Sequence, residues 1–189
     1  MYKGYIAGGL FSEAEQAQRI KEEKILGKTF PDYKWFNPLT CNEANDKNLS
    51  PTAENIFLGD TREIIASEII VADLSGNDVG VAAELGIAYG LQYAYNVLIE
   101  VLNKNSEKLS LTSWYELNNF GLKDRMIETV SSDIRMPNAG DYNSRYVPFG
   151  LNQYLVGMIE HMNGNIHYSF DEAVKSLKEK ERECDEIVF

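Results

Sequence analysis

A chain of 189 residues with 44% hydrophobic content is long enough for one domain with a real core, and it holds no apolar stretch that could span a membrane. A formal net charge of -11 argues against electrostatic binding to nucleic-acid backbones, which needs clustered Lys and Arg. The cysteines Cys41 and Cys184 lie far apart and form no CxxC pair, so neither a zinc site nor a disulfide framework is predicted.

The N-terminus enters a strand at once, Lys3 to Ala7, without the basic segment, apolar core and cleavage site of a secretory signal, which predicts a soluble cytoplasmic protein. Gly8-Gly9 stops that strand, and Ser12 to Leu26 follows as a helix opened by Ser12, Glu13 and Glu15. The glycine turn either lets a ligand approach the backbone or is a tight connection; it lacks the P-loop lysine and the GxGxxG spacing. Tyr33 to Phe36 predicts a second strand, ended by Asn37-Pro38, and Cys41 to Ser50 a polar loop. Pro51 after Ser50 opens a helix to about Ser67 that carries Asp60 among Ile56, Phe57, Ile64 and Ile65. The continuous apolar run Glu68 to Ala72 predicts a strand covered on both faces.

A helix follows Asp78, and Asn96 to Leu102 reads as another apolar strand. Residues 103 to 146 are less regular, with a helix expected near Leu122 to Val130. Pro148 begins a helix running to Met162, apolar through Leu151, Leu155, Met158 and Ile159. Asn163-Gly-Asn165 marks a turn, and Ser169-Phe-Asp-Glu172 is a capping box opening a charged last helix to about Arg182, expected to present a solvated face. No repeat or linker divides the chain, so one domain over residues 1–189 is expected, with a helical C-terminal part from about residue 148. Alternating strands and helices predict an α/β fold, a Rossmann-like or flavodoxin-like parallel sheet with helices on both faces.

The segment Asp73 to Gly90 concentrates the chemistry, because it delivers carboxylates at the end of a buried strand and in the opening turns of a helix, where open α/β folds bind ligands. Asp78 suits an N-cap, which alone would explain it. Glu84 sits more than a turn inside the helix among Ala82, Ala83, Leu85 and Gly86, where an ionised carboxylate needs a partner or a job. His161 and His167 lie near the C-terminus, so a His-based triad or His metal site is poorly supported and the acidic residues are the available catalysts. Paired carboxylates suit chemistry at a glycosidic carbon, one attacking while another donates a proton to the leaving group. Mg²⁺ binding is the competing use, weakened because no phosphate-cradling Lys or Arg motif accompanies the cluster. No metal or cofactor is called for.

Tyr5-Ile-Ala-Gly-Gly-Leu-Phe11, Asp60 in the middle helix and Asp78-Val-Gly-Val-Ala-Ala-Glu84-Leu-Gly-Ile-Ala88 together resemble the nucleoside 2-deoxyribosyltransferase family. The resemblance implies transfer of a 2-deoxyribosyl group between purine or pyrimidine bases of 2′-deoxynucleosides, the chemistry of nucleotide salvage. Glu84 would attack the anomeric carbon and Tyr5 would hold it. The glycine turn of Gly8 and Gly9 and Phe11 would line the pocket, and Asp60 and Asp78 would bind the base and handle its proton. Asn152 stands in for a family asparagine that reaches the neighbouring subunit's sugar, because Leu109 to Trp114 offers no match; Phe189 corresponds to the family's C-terminal aromatic residue. Deoxynucleosides and free nucleobases would be the partners, and the assembly a homo-oligomer built from dimers, up to a hexamer. A related branch hydrolyses deoxynucleoside 5′-monophosphates with the same nucleophile, and Ser12 could donate to such a phosphate, whereas Leu10 and Phe11 suit an unphosphorylated nucleoside. A non-catalytic nucleotide-binding module is the third reading; it needs no nucleophile.

Overall fold

Five short strands pair in parallel as one sheet in the computed structural model, which describes residues 2–41, 52–105, 109–133, 141–142, 145–146 and 150–187. The elements in chain order are β1 (Tyr2–Ala7), α1 (Glu13–Thr29), β2 (Tyr33–Phe36), α2 (Ala53–Ala66), β3 (Ile69–Asp73), α3 (Val79–Lys104), α4 (Leu111–Asn119) and β4 (Met126–Val130). A two-stranded antiparallel pair, β5 (Asp141–Tyr142) and β6 (Arg145–Tyr146), precedes α5 (Gln153–His161), β7 (Asn165–His167) and α6 (Phe170–Ile187). The sheet order is β2-β1-β3-β4-β7, all neighbours parallel. This is the flavodoxin-like order, whose direction reverses between β1 and β3.

The central strands β1 and β3 are apolar on both faces because both are covered. On one face Tyr5, Ala7, Ile70, Ala72 and Ile127 pack under α2, α3 and α5 through Ile64, Val81, Leu85, Ala88 and Ile159. On the other, Ile6, Ile69, Val71 and Val130 pack against Leu26 of α1 and against α6. Among the described residues no helix is long and apolar enough to cross a membrane.

Several expected elements change. Asn96 to Leu102 is the last part of α3, not a strand: nothing between Gly90 and Asn105 breaks the helix, and the place in the sheet assigned to that run belongs to β4. The helix expected near Leu122 to Val130 is accordingly strand β4, its residues alternating between the two faces. Helix α2 begins at Ala53 with the Thr52 side chain accepting from the Asn55 amide, so Thr52 and not Ser50 is the N-cap; Ser50 and Pro51 lie outside the described residues. Helix α5 begins at Gln153 after the cap Asn152, later than the expected Pro148, which also lies outside them, as do the loop 42–50 and Phe189. The last helix is more than a solvated face. The Ser169–Glu172 box caps it, and Phe170, Ala173, Val174 and Leu177 recur at helical spacing and are buried against the sheet.

Candidate active site

Parallel strands leave a crevice at their carboxyl ends where the topology reverses, here between the loops after β1 and β3. Tyr5 and Glu84 meet beside it. Tyr5 is fully buried in β1, in register with Phe36 on one side and Ile70 on the other, and its ring stacks on Phe36 with centroids 5.6 Å apart. Its hydroxyl donates to Glu84 Oε1 at 2.6 Å. Leu85 and Ala88, wholly buried, seat α3 on the sheet and leave Glu84 beside them half-buried, while Ala82, Ala83 and Gly86 face away from the sheet.

Burial pushes the Glu84 carboxyl up to about 7; the Tyr5 hydrogen bond pulls it down, and the Asp60 and Asp78 charges push it up again. The Tyr5 hydroxyl is itself held well above the usual tyrosine range by burial, then by the Glu84 and Asp60 charges. Asp60 comes from α2, and its Oδ1 is buried without a hydrogen-bond partner among the described residues. Burial lifts that carboxyl to about 6. The structure therefore brings Tyr5, Glu84, Asp60 and Asp78 into one electrostatic cluster.

Asp78 caps α3: its Oδ1 accepts from the amides of Gly80 at 2.6 Å and Val81 at 3.3 Å. It also borders a cavity of about 570 Å³ between α3 and α5, lined by Val79, Ala82, Gly86, Tyr89 and Asn152 among others. The helical spacing of Val79, Ala82 and Gly86 puts that cavity across α3 from Glu84. Asn152 is thus brought together with Asp78 and not, within one chain, with Glu84; its own side chain caps α5 by accepting from the Tyr154 amide at 2.9 Å.

The room left by both glycines of the turn is filled by side chains of α1. A Cβ on Gly8 would collide with Arg19 Nη1, and one on Gly9 with Glu15 Oε1. Glu15 Oε2 accepts from the Phe11 amide at 3.1 Å, the Ser12 amide at 2.7 Å and the Ser12 hydroxyl at 2.8 Å, and these bonds, the Ser12 amide first, hold its carboxyl below the usual range. The Phe11 ring, by contrast, is 88% exposed. Sequence reasoning missed Arg19 and the capping role of Glu15, although Ser12-x-x-Glu15 spells a capping box.

A family model described as Nucleoside 2-deoxyribosyltransferase matches residues 5–131, more than half of the chain. The chain belongs to that family. The matched span holds Tyr5, the glycine turn, Asp60, Asp78 and Glu84 and ends before Asn152. Among relatives, an uncharacterized protein of Ureaplasma parvum serovar 3 is 28% identical over 111 residues, 56% of this chain and 70% of its own. A crystal structure of a conserved protein from Enterococcus faecalis V583 superposes with a TM-score of 0.64 at 23% identity, over 95% of this chain and 99% of that one. A 2-desoxiribosyltransferase from Leishmania mexicana gives 0.55 at 22% identity, over 95% and 98%. At these identities the two solved structures show a shared fold.

Proposed function

We propose that this chain transfers a 2-deoxyribosyl group between the bases of 2′-deoxynucleosides through a covalent intermediate on Glu84. The observation that carries the reading is a half-buried carboxylate held by a buried tyrosine hydroxyl at 2.6 Å, near a second half-buried carboxyl, Asp60, whose buried Oδ1 has no partner among the described residues. Glu84, its Oε1 fixed by Tyr5, attacks the anomeric carbon with Oε2 from the face opposite the base. The C–N bond breaks, and its electron pair leaves with the base, which takes a proton from Asp60. A second base then displaces Glu84 and returns its proton to Asp60. Two inversions at one carbon give retention. A carboxyl near 6 suits Asp60 for giving and taking back that proton close to neutral pH.

The donors at this edge favour an uncharged nucleoside over a 5′-monophosphate. The amides of Phe11 and Ser12 are already taken by Glu15, and those of Gly80 and Val81 by Asp78. A phosphate arriving there would find carboxylates where it needs hydrogen-bond donors. In this reading the exposed Phe11 ring covers the base, and Asn152 acts across a subunit boundary. A homo-oligomer is supported by the apolar side chains of Val79, Tyr93, Val97 and Val101, which α3 leaves exposed.

The test is incubation of the protein with 2′-deoxyinosine or thymidine, with and without free adenine, and separation of the products. Deoxyadenosine formed only when adenine is present is the expected result. Free base without a new nucleoside would point to hydrolysis, and no turnover of either substrate would sink the reading.

A further inference from the structure

The carboxyl edge carries a second charge cluster, which none of the chemistry above uses. Arg19, 1% exposed, reaches from α1 to the Gly8–Gly9 turn on the face of the sheet away from Glu84. Its Nη1 donates to the Ala7 carbonyl at 3.4 Å, at the end of β1. Its Nη2 donates to Asp73 Oδ2 at 2.6 Å, at the end of β3, and to Glu22 Oε1 at 2.7 Å. Asp73 uses its other oxygen to accept from the Ser75 amide at 2.9 Å, in the turn that leads through Asn77, at φ 50°, to Asp78. One guanidinium therefore spans the two loops that frame the crevice.

Stability alone is a poor reason for this arrangement. An apolar side chain of similar volume generally serves a buried position as well as an ion pair does. Here one cation serves two carboxylates, Glu22 is buried along with it, and Arg19 Nε has no partner among the described residues. What a planar guanidinium fork offers instead is a fixed distance between the groups it holds. Gly8 is the sequence counterpart, because any side chain there would displace the fork.

We infer that Arg19 is a positioning residue for the deoxyribosyl transfer proposed above, a tie between the loops after β1 and β3 that sets how the start of α3, and with it Glu84, faces Tyr5. The inference rests on that reading of the reaction, but the tie has its own readout. Arg19→Met keeps the volume and removes the fork; Arg19→Lys keeps the charge and reaches fewer partners.

In Arg19→Met, kcat for base exchange should fall by up to about 10²-fold, the cost of a small misplacement of reacting groups, with KM for the donor nucleoside little changed. Arg19→Lys should recover part of that loss. Amide hydrogen exchange should quicken in residues 8–11 and 74–81 of Arg19→Met and stay as in the wild type in α2 and β4. If Arg19→Met fails to fold, Asp73→Asn, which weakens the β3 end of the tie, should give the same pattern. Unchanged exchange in the two loops overturns the tie whether or not the protein is active. Quickened exchange with kcat within twofold of wild type overturns its role in positioning. A wild type that exchanges no bases defeats the proposed reaction separately, and the hydrogen-exchange comparison still decides the tie.

Discussion

Glu128 and Glu84 both lose water to the fold, and they are opposites. Glu128 in β4 is 0% exposed and fully served: His167 Nε2 and Lys180 Nζ lie 2.6 and 2.7 Å from its oxygens, with Ser176 Oγ at 2.9 Å and Asn165 Nδ2 at 3.3 Å. Glu84 receives a hydrogen bond from Tyr5 and otherwise feels two acidic neighbours. Burial works against ionisation in both, yet the donors around Glu128 outweigh it and hold that carboxyl below the usual range, while Glu84 is left at about 7. Burial of a carboxylate therefore does not mark a site. A buried carboxylate left short of donors does, because a fold gains nothing from it.

The widest break of this comparison is Glu84→Ala, which should cost roughly 10⁴-fold or more in base exchange, since a removed nucleophile leaves only binding and proton transfer. Circular dichroism should stay as in the wild type. Glu128→Leu should do the reverse: it strands Lys180 and His167 and should cost about 3 kcal/mol in urea unfolding, with activity per folded molecule kept. Melting temperature against pH sharpens the contrast. Glu84 is raised in the folded state, so its contribution to stability is complete below its unfolded value and lost as pH rises through about 7. Glu84→Gln should therefore gain stability over the wild type between pH 5 and 8. Glu128 is lowered, so its contribution is present above its unfolded value and lost as pH falls, and Glu128→Gln should lose most at neutral pH and least in acid.

Tyr5→Phe tests the donor that Glu84 does have. Removing a hydrogen bond to the ionised form raises the carboxyl further, so the rise of kcat/KM with pH should move to higher pH, with a loss of about 10-fold to 10²-fold at pH 7. A profile in the wild-type position would mean that the hydroxyl does not hold the nucleophile.

The same contrast explains what could be read in advance. Strands β1 and β3 were legible because a parallel strand covered on both faces is a continuous apolar run, and Glu84 stood out because a charge inside a run of small residues conflicts with its surroundings. That logic failed at Asn96 to Leu102. The apolar run there suggests a strand, whereas it is helix whose Val97 and Val101 are exposed in the single chain. Periodicity cannot separate the two when polar residues are few. Strand β4 was hidden for the opposite reason, since Glu128 and Thr129 interrupt its apolar pattern and find their partners on β7 and α6, far along the chain. Arg19 was invisible because its partners converge only once β1, β3 and α1 are assembled.

The smallest expected effects separate two caps that look alike. Asp78 and Asn152 each accept from backbone amides at a helix start, and both border the cavity across α3 from Glu84. Asn caps as well as Asp, so Asp78→Asn leaves α3 capped and should move the melting temperature little. Its effect on kcat then isolates the charge, whose repulsion helps keep Glu84 near 7. The acid limb should move to lower pH in that variant if the charge matters only through Glu84, whereas a fall in rate at every pH would give Asp78 a direct role with the substrate. Asn152→Ala should cost about 1 kcal/mol as a lost cap. Its rate per folded molecule decides the rest: unchanged, Asn152 is a cap and nothing more; reduced, it serves the reaction, and in the proposed homo-oligomer it does so from a neighbouring subunit, because within its own chain the whole width of α3 stands between Asn152 and Glu84.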